Sequence, residues 1–220
     1  MDCRIVRVEQ GSDEWLDLRR TRITCSRLGD VCAGKDTKRY IQYRKEKVLE
    51  LLGHKQVEET PEWAAHGKEN EPMALKGYQW RYEQLIEHNV FLIHNDYDWL
   101  ACSPDFLHKP DYEEGGEIKC RALYKNYRKH KTDAEEFEGY ARAIPASNRH
   151  QVQGAMWLTG MNHWWYVNYY LGPDFEGVAV QRIHRVAVPR DQKLIDKMEA
   201  RCLEFMKECY DRAELEFEAR

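Results

Sequence analysis

An α/β (α+β) domain built on a central mixed β-sheet flanked by helices is the fold the sequence predicts. Helix-patterned segments fill the first third of the chain, a block of short apolar runs follows, and a helix separates that block from two further runs before an amphipathic terminal stretch. The order helices, strands, helix, strands, helix is that of helices layered on a mixed sheet. With 220 residues and no repeat, low-complexity tract or Gly/Ser linker, a single domain spanning 1–220 is expected.

Each element has its own signal. Ser12 precedes DEWLDLRR and is the natural cap of a short first helix, and Thr24 or Ser26 is the candidate cap of a second one running toward Gly34. Residues 37–54 carry apolar side chains at helical spacing. From Pro61 through Leu85 a long polar helix is expected, with Trp63, Leu75, Tyr78 and Tyr82 on its buried face. NVFLIH (89–94), WLACSPDFL (99–107) and GGEIKC (115–120) read as consecutive strands, the last two joined by the turn-rich HKPDYEEGG. A basic helix is expected at about 121–131, then a loop, then a helix that Ser147 caps and Gly160 ends. HWWYVNYYL (163–171) and GVAVQRIHRVAV (177–188) are strand-like, and Pro189 is expected to open a terminal helix. In that helix Leu194, Ile195, Met198, Cys202, Phe205, Met206 and Cys209 recur at helical spacing.

Composition excludes several classes. At 42% hydrophobic and 33% charged, with 7 prolines and 13 glycines, the chain can bury a sizeable core and is neither collagen-like nor broadly disordered. No apolar run is long enough for a transmembrane helix, and the N-terminal MDCRIVRVEQ has charges where a signal peptide needs its apolar centre, so a cytoplasmic protein is expected. Seven cysteines without one Cys-x-x-Cys argue against a zinc ribbon, a redox dithiol and a standard iron–sulfur ligand set, leaving free thiols in a reducing compartment. A net charge of −4 restricts any nucleic-acid site to a local basic patch.

The chemistry concentrates around GGEIKC. Residues two apart in a strand face the same way, so Glu117 and Lys119 share one face while Ile118 points to the other. If the adjacent strands pair as a hairpin, Asp105 of the preceding SPD comes alongside Glu117. Two carboxylates and an ammonium at one point suit phosphodiester hydrolysis. The carboxylates can hold a hard divalent cation, which polarises the phosphate and lowers the pKa of bound water. The lysine can stabilise transition-state charge or orient the water. Glu and Lys flanking one Ile in a buried-looking strand are costly by chance, which favours this reading over stray charges. Glu71 precedes Leu75, Tyr78 and Tyr82 at near-helical spacing and can point inward, the alternative being a solvated carboxylate. Gln153 shares a helix face with Trp157, where its amide could reach a metal-bound water or a phosphate; a surface glutamine is the ordinary alternative.

Taken in order, EQGSDEWLDLRRTRITCSRL, HGKENEPMA, ACSPDFL, GEIKC and HQVQGAMWLTG resemble the lambda exonuclease family, the YqaJ-type phage recombination nucleases within the PD-(D/E)xK superfamily. The similarity runs from about residue 8 to about residue 200. It implies a restriction-endonuclease-like core and a Mg2+-dependent 5′-to-3′ exonuclease, with Mn2+ as a substitute metal. Such an enzyme digests one strand of duplex DNA from an end, works as a ring-shaped homotrimer and partners a single-strand annealing recombinase. Position by position, the resemblance places Asp105, Glu117 and Lys119 on the catalytic triad, Glu71 and the Ile118 backbone carbonyl on the metal, and Gln153 on the active-site glutamine. Arg19 and Ser26 fall on the 5′-phosphate pocket. Two departures are visible: Arg121 stands where the family usually has a proline, and the loop around Gly34 to Thr37 is compressed.

Basic residues gather where such an enzyme needs phosphate contacts. Lys38, Arg39, Arg44, Lys45 and Lys47 lie on one expected helix, and Arg121, Lys125, Arg128 and Lys129 on another, with Tyr124 and Tyr127 interleaved. The HWWYVNYY run reads as core rather than as a base-stacking surface. The competing readings are an endonuclease or repair nuclease of the same superfamily and a catalytically silent DNA-end-binding module. The intact Asp105, Glu117 and Lys119 set argues against the silent module.

Overall fold

The computed structural model describes residues 1–54, 62–120, 144–173 and 179–218. The first element is a strand, β1 (Cys3–Arg7), which the charged N-terminal pattern does not predict. Helix α1 (Asp13–Arg19) follows, and Ser12 caps it as expected, its Oγ accepting the Trp15 N–H at 3.2 Å. A two-residue strand β2 (Ile23–Thr24) leads into a 3-10 turn (Cys25–Arg27) and a one-turn helix α2 (Leu28–Val31), shorter than the helix expected toward Gly34. Helix α3 (Lys38–Leu51) and helix α4 (Glu62–Tyr82) lie within their expected spans.

The expected α/β architecture of mixed sheet flanked by helices is present, with the strands divided between two sheets. After β3 (Ile86–Glu87) and β4 (Val90–His94), the WLACSPDFL run breaks into β5 (Leu100–Cys102) and β6 (Phe106–His108). Strand β5 joins a four-stranded sheet in the order β1-β4-β5-β2, and β6 joins a five-stranded sheet with β7 (Gly115–Cys120), β8 (His163–Pro173) and β9 (Ala179–Pro189). The order of the second sheet is β3-β6-β7-β8-β9. The physical reason is Pro104: it has no N–H for a ladder, so the chain leaves one sheet at Ser103 and enters the other at Phe106. Both sheets are mixed, since β2 runs parallel to β5 and β7 parallel to β8 among otherwise antiparallel pairs.

Helix α5 (Ala146–Thr159) starts two residues earlier than a Ser147 cap implies, with Pro145 at the cap position, and ends at Gly160. Gly160 has φ +75, the left-handed conformation that closes a helix and favours glycine. Every residue from Val152 to Thr159 is buried, so α5 is a central post rather than a surface helix. Pro189 is the last residue of β9, and the terminal helix α6 opens at Gln192 and runs to Glu218. Its buried face is Ile195, Met198, Cys202, Phe205, Met206, Cys209 and Ala213, and Leu194 is only half-buried. Tyr40 and Tyr43 of α3 pack on Phe205, each at 5.4 Å between ring centroids. On the five-stranded sheet, Leu75 and Tyr78 of α4 pack against Phe106, Ile118, Val167 and Tyr169. The HWWYVNYY run supplies core as expected, with Trp164, Tyr166, Tyr169 and Tyr170 buried. All seven cysteines are free thiols.

Candidate active site

Strand β7 is where the site begins. Its two glycines leave room for aromatic rings: a Cβ at Gly116 would stand 2.1 Å from Phe106 Cζ, and one at Gly115 would stand 2.5 Å from the Trp164 ring. The Phe106 ring can therefore approach β7 closely at Gly116, and β6 pairs antiparallel with it through Phe106↔Gly116 and Leu107↔Gly115. Asp105, one residue before Phe106, is drawn beside Glu117. Its N–H donates to the Gly116 carbonyl at 3.2 Å, and its Oδ2 accepts the Ile118 N–H at 2.5 Å.

Ile118 turns its side chain into the core, so Glu117 and Lys119 share the opposite face of β7. Lys119 Nζ donates to Glu117 Oε1 at 2.6 Å. Glu117 is 5% exposed, a carboxylate held in the interior beside one ammonium. Glu71 is half-buried on α4, one turn before Leu75, and its charge reaches both Asp105 and Cys120.

The electrostatics of this cluster are unbalanced. Burial, then the charges of Glu117 and Glu71, push the Asp105 carboxyl well above its ordinary range, and Lys119 only partly offsets them. Burial pulls Lys119 down, but Glu117 and Asp105 outweigh it, so the lysine is held charged. Burial together with Asp105 and Glu71 pushes the Cys120 thiol up to about 12.

Crowded carboxylates that oppose one another's ionisation are what a hard cation relieves, and carboxylate oxygens are the donors magnesium takes. In donor chemistry, these oxygen-bearing side chains suit the metal that the sequence resemblance implies. Asp105, Glu117 and Glu71 would hold it, with the Ile118 carbonyl on the strand between. Among the described residues no three His, Cys, Asp or Glu side chains are arranged as they stand to hold a metal ion. Glu117 is instead engaged by Lys119 and by an amide.

That amide is not the expected one. Gln153 is 3% exposed, and both ends of its side chain are engaged by the backbone at and just beyond the end of β9. Its Nε2 donates to the Pro189 carbonyl at 2.8 Å, and its Oε1 accepts the Asp191 N–H at 2.8 Å. Gln151 reaches the cluster instead: its Nε2 donates to Glu117 Oε1 at 2.6 Å, and its Oε1 lies 3.5 Å from Lys119 Nζ. Residues two apart on a helix point about 200° away from each other, so only one of the pair can face β7. The residue pattern of α5 carried no signal for which one.

The residues expected to hold a 5′-phosphate flank β2. The Arg19 guanidinium stacks on Trp15 at 4.3 Å, and the Trp15 indole N–H donates to Ser103 Oγ at 3.1 Å, two residues before Asp105. Ser26 is exposed in the 3-10 turn, its Oγ 3.2 Å from Thr24 Oγ1. It does not cap a long helix, because only a three-residue turn and a four-residue helix follow Thr24. The turn and α2 pack on α5 where Gly154 lets Cys25 and Leu28 approach closely.

Of the expected DNA-contacting residues, Lys38 and Arg39 are exposed on α3, and Arg39 acts electrostatically on His150 at the start of α5. Arg44 is corrected to a structural role. Four residues after Tyr40 it faces α6, where its guanidinium bonds Glu208 at 2.8 Å. Lys47 is likewise buried and paired with Glu50 at 2.5 Å. Arg121, Lys125 and Arg128, with the basic helix expected around them, lie outside the described residues.

This arrangement of a mixed sheet, an acidic strand pair and a helix carboxylate defines a class, and the same fold is found in solved exonucleases. An alkaline exonuclease from Laribacter hongkongensis superposes with a TM-score of 0.77 at 22% identity, covering 94% of this chain and 98% of that one. The same enzyme in complex with dAMP gives a TM-score of 0.73. A phage-related exonuclease from Haemophilus somnus gives 0.64 at 18% identity, covering 92% and 99% of the two chains. No curated protein matches the chain. The YqaJ-like viral recombinase domain matches residues 14–162, and the chain belongs to that family.

Proposed function

We propose that the chain is a Mg2+-dependent 5′-to-3′ exonuclease that digests one strand of linear double-stranded DNA from its ends. The product is a 3′ single-stranded overhang, the substrate of phage-type recombination by single-strand annealing. The observation that carries this reading is the convergence of Asp105, Glu117 and Lys119 on one face of β6 and β7. Membership of the YqaJ-like family and the fold shared with alkaline exonucleases support it.

Each residue has a task. Asp105 and Glu117, with Glu71 and the Ile118 carbonyl, would hold the metal through oxygen ligands. When bound, it would supply Lewis acidity toward the phosphate and lower the pKa of a water; Mn2+ would be able to take its place. Lys119, held charged by its neighbours, stabilises the negative charge that develops on the phosphate or orients the attacking water. Arg19, with its planar fork, and the Ser26 hydroxyl are proposed to take a terminal 5′-phosphate, which sets the direction of digestion. Lys38 and Arg39 hold the duplex backbone by charge; Arg121, Lys125 and Arg128 are proposed for the same work. A homotrimeric ring would encircle the duplex and retain it between cuts. The setting is the cytoplasm of a bacterial host, with the gene carried by a phage or prophage and an annealing recombinase as partner. Among the described residues no helix is long and apolar enough to cross a membrane.

The test is incubation with linear and with closed circular plasmid in magnesium. The proposal expects loss of the linear form alone. Cutting of both forms would make the protein an endonuclease, and sparing of both would make it a binding module.

A further inference from the structure

Helix α6 carries two apolar faces. The first is the buried one that packs on α3 and α5. The second is the row Leu203, Tyr210 and Phe217, whose side chains are 45%, 50% and 74% exposed. A step of seven residues is nearly two full turns, so the row runs along one side of the helix as a coiled-coil seam does. The helix also outruns the body of the molecule. Ala213 is its last buried residue, and every residue from Glu214 to Glu218 is exposed, Leu215 among them. Exposed apolar side chains aligned in this way mark a surface that binds another chain.

We propose that this row is a docking face for a second copy of the chain, the two α6 helices lying antiparallel about a two-fold axis at Tyr210. The proposal goes beyond the nuclease reading and does not rest on it.

Charge selects both the occupant and its direction. Lys207 and Glu214 are exposed, three residues before and four residues after Tyr210. They stand about 60° and about 40° round the helix from it, on the same side. In an antiparallel pair centred on Tyr210, Lys207 of each copy meets Glu214 of the other, Leu203 meets Phe217, and the two tyrosines meet on the axis. A parallel pair would set Lys207 against Lys207 and Glu214 against Glu214, and such like-charge contacts oppose association. Asp211 points about 100° away from Tyr210, clear of the seam.

Other partners fit less well. Between Tyr210 and Glu218 the charges are Asp211, Glu214, Glu216 and Glu218 against Arg212 alone. A nucleic-acid backbone or an anionic lipid surface is repelled by such a stretch. A two-fold contact is isologous, each patch serving both copies, and it closes on itself. It therefore doubles whatever unit the rest of the molecule forms: a single chain becomes a dimer, and a ring of three becomes a pair of rings.

The experiment uses the full chain without DNA or metal. Light scattering gives the mass, and sedimentation over a dilution series gives the dissociation constant. The proteins compared are wild type, Tyr210→Asp, Lys207→Glu and the charge-swapped pair Lys207→Glu with Glu214→Lys. Wild type should reach a mass of two or of six chains. Tyr210→Asp should halve that mass and raise the dissociation constant about tenfold or more, because an aromatic side chain at the centre of an interface carries much of its energy. Lys207→Glu should weaken association about fivefold, and the swap should restore it to within about twofold of wild type. The far-ultraviolet circular dichroism of all three variants should match wild type, which separates lost association from lost folding. Wild type that stays at one or three chains up to its highest soluble concentration, association unchanged in Tyr210→Asp, or a swap as weak as Lys207→Glu alone would overturn the proposal. Wild type that associates as described but digests no DNA would defeat the nuclease reading and leave this one standing.

Discussion

Two charged regions of this molecule are built on opposite principles. Where α3 meets α6, Glu208 accepts hydrogen bonds from Lys35 at 2.5 Å, Arg44 at 2.8 Å and the Tyr40 hydroxyl at 3.0 Å. Burial pushes the Glu208 carboxyl up, but those three partners outweigh it and hold the group at about 2. At the edge of β6 and β7, Asp105 faces Glu117 and Glu71, and its carboxyl is pushed the other way. The first region lowers the energy of the fold through its charges. The second raises it, and a fold tolerates such a cluster where the charges serve chemistry. Charge count alone does not separate the two regions; the sign of the carboxyl shift does.

The largest effect that could break this comparison is at Asp105. Asp105→Asn should remove nuclease activity, with less than roughly a tenth of the wild-type rate remaining, a barrier increase above about 1.4 kcal/mol. The same variant should melt no lower than wild type, because the asparagine oxygen can still accept the Ile118 N–H and a repelled buried charge is gone. A variant that is both inactive and strongly destabilised would mean that Asp105 works as a structural group, like Glu208.

Gln153→Ala comes next, and its effect should be the reverse. It leaves the Pro189 carbonyl and the Asp191 N–H without their amide partner. Leaving such groups unsatisfied costs about 1–3 kcal/mol, so the thermal midpoint should fall by roughly 4–8 °C for a loss near 2 kcal/mol. Calorimetry measures this directly. A variant with an unchanged midpoint and lost activity would return Gln153 to the active site.

The smallest effect is at Glu208. Its folded pKa lies below the unfolded value of about 4.3, so its stabilisation is present in full above that value and is lost as pH falls toward 2. Urea melts of wild type and Glu208→Gln should differ by about 1 kcal/mol at pH 7 and converge at pH 2–3. A constant difference across that range would show that the residue packs rather than pairs.

What could be read from the sequence here was what is local. The common face of Glu117 and Lys119 follows from strand alternation, and Asp105 joins them through a hairpin whose glycines are visible in GGEIKC. The buried face of α6 follows from helical spacing. What could not be read depends on distant partners. Strand β2 is two residues long and exists because Ile23 and Thr24 lie parallel to Leu100 and Ala101. Arg44 looks like a DNA contact until Glu208, far along the chain, is folded against it. Gln151 and Gln153 could not be ranked because α5 is buried nearly all round, and an all-buried helix has no pattern to say which side meets the sheet. The split of WLACSPDFL was within reach, since Pro104 marks it.

If the crowded carboxylates are a metal site for DNA hydrolysis, activity must follow the metal, and chelation reads this out. Digestion of a linear duplex is followed for wild type and Asp105→Asn before EDTA, after exhaustive EDTA treatment, and after magnesium is restored. Wild type should lose its activity on chelation and regain it with magnesium, and Asp105→Asn should be inactive throughout. Full wild-type activity after chelation, or digestion by Asp105→Asn at the wild-type rate, would contradict the metal-site assignment.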